Sequence, residues 1–292
     1  MQNTKQISYW TIGGFEGAKA PEDALAEAKA MGYDGIELAF DGGKFGPGIT
    51  EKRCKQIRQT AKDLGMTIAS LASGAYWVHA FSDPRETKRN KAVAFTKRYL
   101  QVAEWVGAKV VLVIPGAVTV PWDPEARVVP YATVWKRATA CIRECLPTAK
   151  KLGVTMALEN VWGWFLTDPM AMKVFVDQFR SRRVGVYFDV ANCLINGFPE
   201  HWIEILGRRI AAVHFKNFTR DDCGGGLHGF GDDLLEGDVD WTAVTQALKK
   251  IKYTGPITAE MLPFCRLPDM GLPDMALAQD TARKLAMIVD DA

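Results

Sequence analysis

Four polar residues interrupt four apolar segments in the second half of the chain. Glu159 closes "TMALEN" (155–160), Asp189 closes the apolar run of "VGVYFDV" (184–190), His214 lies in "IAAVHFKNF" (210–218) and Glu260 in "PITAEML" (256–262). Read as strands, these segments turn alternate side chains to opposite faces. One face takes Met156 and Leu158; Val184, Val186 and Phe188; Ala211, Val213 and Phe215; and Ile257, Ala259 and Met261. Glu159, Asp189, His214 and Glu260 then share the other face, each at or near the C-terminal end of its strand. Three buried carboxylates without a counter-charge would repel one another and protonate. One divalent cation removes the conflict. Two Glu, one Asp and one His make an oxygen-rich mixed donor set, which suits Mn²⁺ first, with Co²⁺ or Mg²⁺ as alternatives, rather than structural Zn²⁺. Such a site keeps positions open for substrate oxygens. Glu37, in "GIELAF" (35–40), is inward by the same parity, but on a distant strand. A substrate or structural hydrogen bond is expected there rather than ligation.

The elements that must position these residues repeat along the whole chain. Four earlier strands are expected at "ISYWTI" (7–12), "GIELAF" (35–40), "TIASLAS" (67–73) and "KVVLVIPG" (109–116), on their β-branched and apolar content. Helices are expected between the strands. Pro21 opens one and Gly32 stops it; Thr50 caps another, which ends at Gly65; others cover 84–107 and 131–153. Asp168-Pro169 opens the next, and "EHWIEILGRR", "DWTAVTQALKKI" and "DMALAQDTARKLAMIVDD" complete the set. Eight strands alternating with eight helices imply a parallel sheet with right-handed crossovers. The fold class is therefore α/β, a single (β/α)8 TIM barrel over residues 1–292, with the four polar residues at its C-terminal face. The competing doubly wound sheet normally carries G-x-G-x-x-G after its first strand, and "TIGGFEGAKAPED" lacks it.

Composition narrows the partners. The net charge of +2 gives no electrostatic reason to expect nucleic acid or an acidic membrane surface. The six cysteines form no C-x-x-C pair, which fits reduced thiols in a cytoplasmic enzyme. The opening "MQNTKQISYWTIGG" lacks a basic start followed by an apolar core. No apolar run reaches the roughly 18 residues of a membrane span. A soluble, cytoplasmic protein is expected, and homo-oligomer formation is compatible with these features.

The segments "LEN", "FDVAN", "VHFKNF" and "TAEM" on strands 5 to 8 resemble the xylose-isomerase-like barrel superfamily. Within it the chain is similar to the sugar-phosphate isomerase/epimerase group. That group includes ribulose- and xylulose-phosphate 3-epimerases, tagatose/psicose 3-epimerases and hexulose-6-phosphate isomerase-like proteins. "LASGAYW", "VLVIPGAV", "GFPEHW" and "LLEGDVDW" carry the likeness across nearly the whole chain. It implies that Glu159, Asp189, His214 and Glu260 hold one divalent metal. It also implies that Glu159 and Glu260 are the catalytic acid and base on opposite faces of a ketose. One carboxylate would remove an α-proton to give an ene-diolate and the other would return a proton. Arg220, six residues after His214, matches a substrate-contacting arginine of the ketose 3-epimerases. Asn192 stands where those enzymes often hold a histidine, and Phe165 where they carry a glutamate. Both departures argue against a free ketohexose as the substrate.

Further substrate contacts are expected from the loops at the barrel mouth. "GAYWVHAF" (74–81) offers Trp77 and His79, and "NVWGWF" (160–165) offers Trp162 and Trp164, with aromatic faces suited to sugar C–H groups. Lys216, two residues beyond His214, is inward by parity and could neutralise an anion. The connection 220–241 is long enough for a lid and carries His228. A metal-dependent lyase acting on a keto-cyclitol or a 3-keto-glycoside would begin with the same α-proton removal, so it is the alternative reading. DNA-repair chemistry on the same fold needs more histidines than the four present. A binding module needs no set of aligned ligands.

Overall fold

The computed structural model describes residues 3–120, 123–221, 229–262 and 271–290. His228, Cys223 and Cys265 lie outside these residues.

Eight parallel strands close into a barrel in chain order. They are β1 (Lys5–Ser8), β2 (Gly35–Ala39), β3 (Ser70–Ala72), β4 (Val110–Val113), β5 (Thr155–Glu159), β6 (Val184–Asp189), β7 (Ile210–Phe215) and β8 (Ile257–Ala259). The helices are α1 (Tyr9–Gly13), α2 (Pro21–Ala30), α3 (Glu51–Asp63), α4 (Glu86–Val106) and α5 (Tyr131–Leu152), then α6 (Pro169–Asp177), α7 (Pro199–Leu206), α8 (Trp241–Lys250) and α9 (Met275–Asp290). Among the described residues, no helix is long and apolar enough to cross a membrane.

Local chemistry explains where several helices begin. Thr50 accepts a hydrogen bond from the Arg53 N–H, Asp168 from Met170 and Ala171, and Asp240 from Ala243. Each cap satisfies donors that a helix N-terminus otherwise leaves open. Pro21, Pro169 and Pro199 each stand in a first turn, where the missing N–H is harmless. Gly107 and Gly153 end α4 and α5 in the left-handed region.

The first strand is shorter than its sequence suggests. "ISYWTI" reads as one strand, but β1 stops at Ser8, and Tyr9–Gly13 turn into α1. All five residues of α1 are buried, so the run is apolar without a period that separates strand from helix. The consequence is functional, because the turn brings Trp10 into the cavity above the barrel.

One irregularity in the sheet is required by the site. The β6–β7 register pairs Val186 with Ile210 but Tyr187 with Ala212. The skipped residue is Ala211, and Asp189 then pairs with His214. Without this shift Asp189 would stand opposite Val213, and the inward phases of the two strands would disagree. Bulges of this kind re-aim side chains next to active sites.

Candidate metal centre

Glu159 ends β5, Asp189 ends β6, His214 lies on β7 and Glu260 follows β8. All four are buried, and one ligand atom from each lies within 4.8 Å of the others. His214 Nδ1 is 3.7 Å from Glu159 Oε1, 3.9 Å from Asp189 Oδ2 and 3.6 Å from Glu260 Oε2. The strand parity read from the sequence thus brings the four together.

Backbone and side-chain bonds hold each ligand. Asp189 Oδ1 accepts the N–H groups of Ala191 (2.9 Å) and Asn192 (2.8 Å). The Asn160 amide donates to the Asp189 carbonyl and accepts the Asp189 N–H, both at 2.8 Å, which clips the end of β5 to β6. Asp189 Oδ2 and His214 Nδ1 are buried without a hydrogen-bond partner. Buried polar atoms are normally satisfied. These two atoms, without an aligned hydrogen bond in a cluster with two further carboxylates, fit a divalent cation, which would take one donor atom from each residue.

His214 is oriented from below. Its Nε2 lies 2.7 Å from Glu37 Oε1, while Glu37 Oε2 accepts hydrogen bonds from Ser70 Oγ at 2.7 Å and from the Tyr187 hydroxyl. Glu37 is fully buried. Its expected distance from the four is corrected here, because closure of the barrel sets β2 across from β7. Gln6 extends the polar floor, donating to Ser70 Oγ at 3.0 Å and Thr258 Oγ1 at 3.1 Å.

Burial dominates the proton affinities. It raises the Glu159 carboxyl to about 7, with the neighbouring His214 opposing the rise and Glu260 and Asp189 adding to it. Burial also raises Asp189, against the pull of Lys216. For His214 burial acts downward, but Glu260 and Glu37 outweigh it and hold the imidazole well above its usual value. Glu37 goes the other way: burial would raise it, and His214, Tyr187 and Ser70 together hold it low. These opposed shifts mark a cluster with more negative charge than its surroundings can solvate.

Lys216 partly answers that charge. Its ammonium donates to Glu260 Oε2 at 2.6 Å. It also stands 2.8 Å from Asp189 Oδ2, an ion pair that is not aligned as a hydrogen bond.

A cavity of about 700 Å³ opens above the cluster. Glu159, Glu260, Lys216, Asn192, Trp77 and Trp162 line it, as their sequence positions suggest. Asp189 and His214 do not line it and lie beneath. The Trp162 indole N–H donates to the Asn192 carbonyl at 2.9 Å, which fixes the indole at the mouth. Three other expected contacts are not at the wall. Glu37 is below the cluster. The His79 ring has a buried Nδ1 outside the cavity lining. The Arg220 guanidinium donates to the carbonyls of Leu194 (2.8 Å) and Gly197 (2.9 Å) and lies over the Phe198 ring. It braces the loop after β6 and does not reach the cavity. Trp164 is 48% exposed, and Phe165 packs on Trp135 and Phe175 away from the site.

The cavity also contains residues without a motif to announce them. Asp41 follows β2, and its carboxylate accepts from Ser73 Oγ (2.8 Å), Gly74 N–H (2.8 Å) and Trp10 Nε1 (3.0 Å). Asp41, Ser73 and Trp10 all line the cavity. The long connection after β7 is anchored by Asn217, which accepts the Val239 N–H at 3.0 Å and donates to the Leu234 carbonyl at 3.0 Å. Gly237 passes so close that a Cβ there would stand 2.3 Å from Asn217 Oδ1.

Residues 25–285 match the family model described as xylose isomerase-like TIM barrel. The chain belongs to that family. A curated relative, the uncharacterized protein MJ1311 of Methanocaldococcus jannaschii, is 26% identical over 198 residues, which are 63% of each chain. This chain therefore spans somewhat under two thirds of that relative's length. Among solved structures of the same fold, L-ribulose 3-epimerase is 18% identical, with a TM-score of 0.79 over 99% of this chain and 95% of the other. D-psicose 3-epimerase with D-tagatose, from Clostridium cellulolyticum H10, is 16% identical, with a TM-score of 0.77 over 99% and 98%. The 3-keto-D-glucoside 4-epimerase of E. coli is 14% identical, with a TM-score of 0.71 over 97% and 98%.

Proposed function

We propose that this member of the xylose isomerase-like family is a divalent-metal-dependent isomerase or epimerase of a ketose, keto-sugar or sugar derivative. The observation that carries the proposal is the division of the four cluster residues. Glu159 and Glu260 line the cavity, while Asp189 and His214 lie below it. All four would hold the metal, but only the glutamates can also touch a substrate. Structural relatives whose names specify 3-epimerases and a 4-epimerase support the same chemistry.

A bound divalent ion would act as a Lewis acid and make the carbon-bound proton beside a carbonyl more acidic. The remaining work falls to the side chains. Glu159 and Glu260 stand at two sides of the same floor, so one removes the proton and the other returns one. Return to the opposite face of that carbon inverts it; return to the neighbouring carbon shifts the carbonyl. Asn192, a neutral amide, can orient a hydroxyl but carries no proton charge. Trp162 and Trp77 offer aromatic faces to sugar C–H groups. Mn²⁺ is our choice of ion, because a donor set of three carboxylates and one imidazole suits it. Elimination from the same α-proton removal is the second reading, favoured by the large apolar cavity.

Among the described residues, the four thiols are buried and take no part in this chemistry. Burial pushes Cys54 and Cys141 up to about 11 and Cys145 to about 12, which keeps them protonated and inert. Buried free thiols are compatible with the cytoplasmic location we assign.

Incubating the Mn²⁺-loaded protein in D₂O with a panel of ketoses and keto-glycosides tests the proposal. Deuterium uptake beside the carbonyl, abolished by chelator, is the expected result. No uptake into any member of the panel would refute it.

A further inference from the structure

The cavity above the metal centre is larger and more apolar than a free monosaccharide requires. Cavities of roughly 300–1,000 Å³ enclose drug-sized ligands, and this one holds about 700 Å³. Its polar groups cluster at the metal end, around Glu159, Glu260, Lys216 and Asn192, and at a second point made by Asp41 and Ser73. The rest of the wall is apolar, with Trp10, Phe15, Trp77, Ile114, Trp162 and Phe230 its principal members. Trp77 and Ile114 also line an adjoining outer cavity of about 610 Å³. A ligand anchored at the metal therefore has room to extend outward, past the apolar wall of the inner cavity.

The charges disfavour an anionic extension. Among the described lining residues, Asp41, Glu159 and Glu260 face a single cation, Lys216. That ammonium is already held by Glu260 and Asp189. The Arg220 guanidinium is engaged by backbone carbonyls outside the cavity. The outer cavity adds Arg85 and Arg127 but also Asp83, Asp123 and Glu125, and a divalent ion would be offset by Glu159, Asp189 and Glu260, so among the described lining residues no surplus positive charge remains for a phosphate. Asp41, another lining residue, adds repulsion.

We propose that the substrate is an uncharged keto-sugar carrying a flat apolar ring, with its keto-diol end over Glu159 and Glu260 and its ring against Trp77 and Trp162. The inference rests on the metal-dependent proton-abstraction reading and names the substrate class for it. Ring-on-ring contact would supply affinity that a hydroxylated chain could not draw from this wall.

Calorimetric titration of the full-length, Mn²⁺-loaded protein tests it with methyl 3-keto-β-D-glucopyranoside, the phenyl counterpart and D-fructose 6-phosphate as probes. The phenyl probe should bind about tenfold tighter than the methyl probe, and the phosphate should bind most weakly. Trp77→Ala should bring the phenyl-to-methyl ratio toward one; Trp77→Leu serves the same purpose if the alanine variant does not fold. A ratio near one in the unaltered protein, or a phosphate that binds tightest, overturns the inference. Deuterium uptake from D₂O judges the underlying reading separately. Uptake without a phenyl preference removes only the substrate class. A phenyl preference without uptake in any probe upholds the binding preference and removes the proton-abstraction reading.

Discussion

Glu37 Oε1 and His214 Nε2 meet at 2.7 Å in the fully buried floor of the barrel, and this contact turns the other ring nitrogen toward three carboxylates. A carboxylate on the far nitrogen of a ligating histidine fixes the ring and its tautomer. Glu37→Leu should therefore lower Mn²⁺ affinity by about 10–100-fold, although Glu37 is not a ligand. Calorimetry of the metal-stripped variant measures it; unchanged affinity would assign Glu37 to stability alone.

Lys216 bridges Glu260 and Asp189. Lys216→Met leaves both carboxylates without that partner, and breaking a buried ion pair costs about 3–5 kcal/mol. Urea unfolding in chelator should show a loss of that order, and saturating Mn²⁺ should recover part of it. A variant as stable as the parent in chelator would show that the ammonium does not hold these carboxylates in the metal-free protein.

Glu159 supplies a pH dependence. Its carboxyl is raised from 4.5 to about 7, chiefly by burial. The folded state thus holds this proton more tightly than the unfolded chain. The resulting stability is complete below about 4.5 and is lost as pH rises to about 7. His214, also raised, acts with the same sign above its usual value of 6.5. A metal must displace these protons, so its affinity rises over the same interval. The Mn²⁺-induced increase in Tm should therefore grow from pH 5.5 to 7.5, at a fixed metal concentration above its Kd. An increase independent of pH would contradict the proton assignment.

Glu159→Gln and Glu260→Gln each remove one acid/base group. Loss of such a group typically lowers a rate by about 10²–10⁴-fold. Both variants should show that loss in deuterium uptake measured at metal saturation. Full uptake in either would exclude that glutamate from the proton transfer.

The metal cluster was legible because strand parity is local. Val186, Phe188 and Val213 announce the outward face, so Asp189 and His214 follow without knowledge of the rest. Glu37 was legible as inward, but its partner was not, since the β2–β7 approach depends on barrel closure. Trp10 was hidden in a five-residue apolar helix that sequence period cannot distinguish from strand. Asp41 and Ser73 sit on loops whose paths are set by packing, and neither carries a motif. Arg220 shows the same limit from the other side. Its spacing from His214 suggested a substrate contact, while the loop path gives its guanidinium to Leu194 and Gly197.

The central claim is that Glu159, Asp189, His214 and Glu260 bind one divalent ion. Calorimetric titration of metal-stripped protein with Mn²⁺ tests it directly, with Asp189→Asn and His214→Gln in parallel. The account predicts one site per chain in the parent and a large loss of affinity in both variants. No saturable site in the parent, or an undiminished site in the variants, would contradict it.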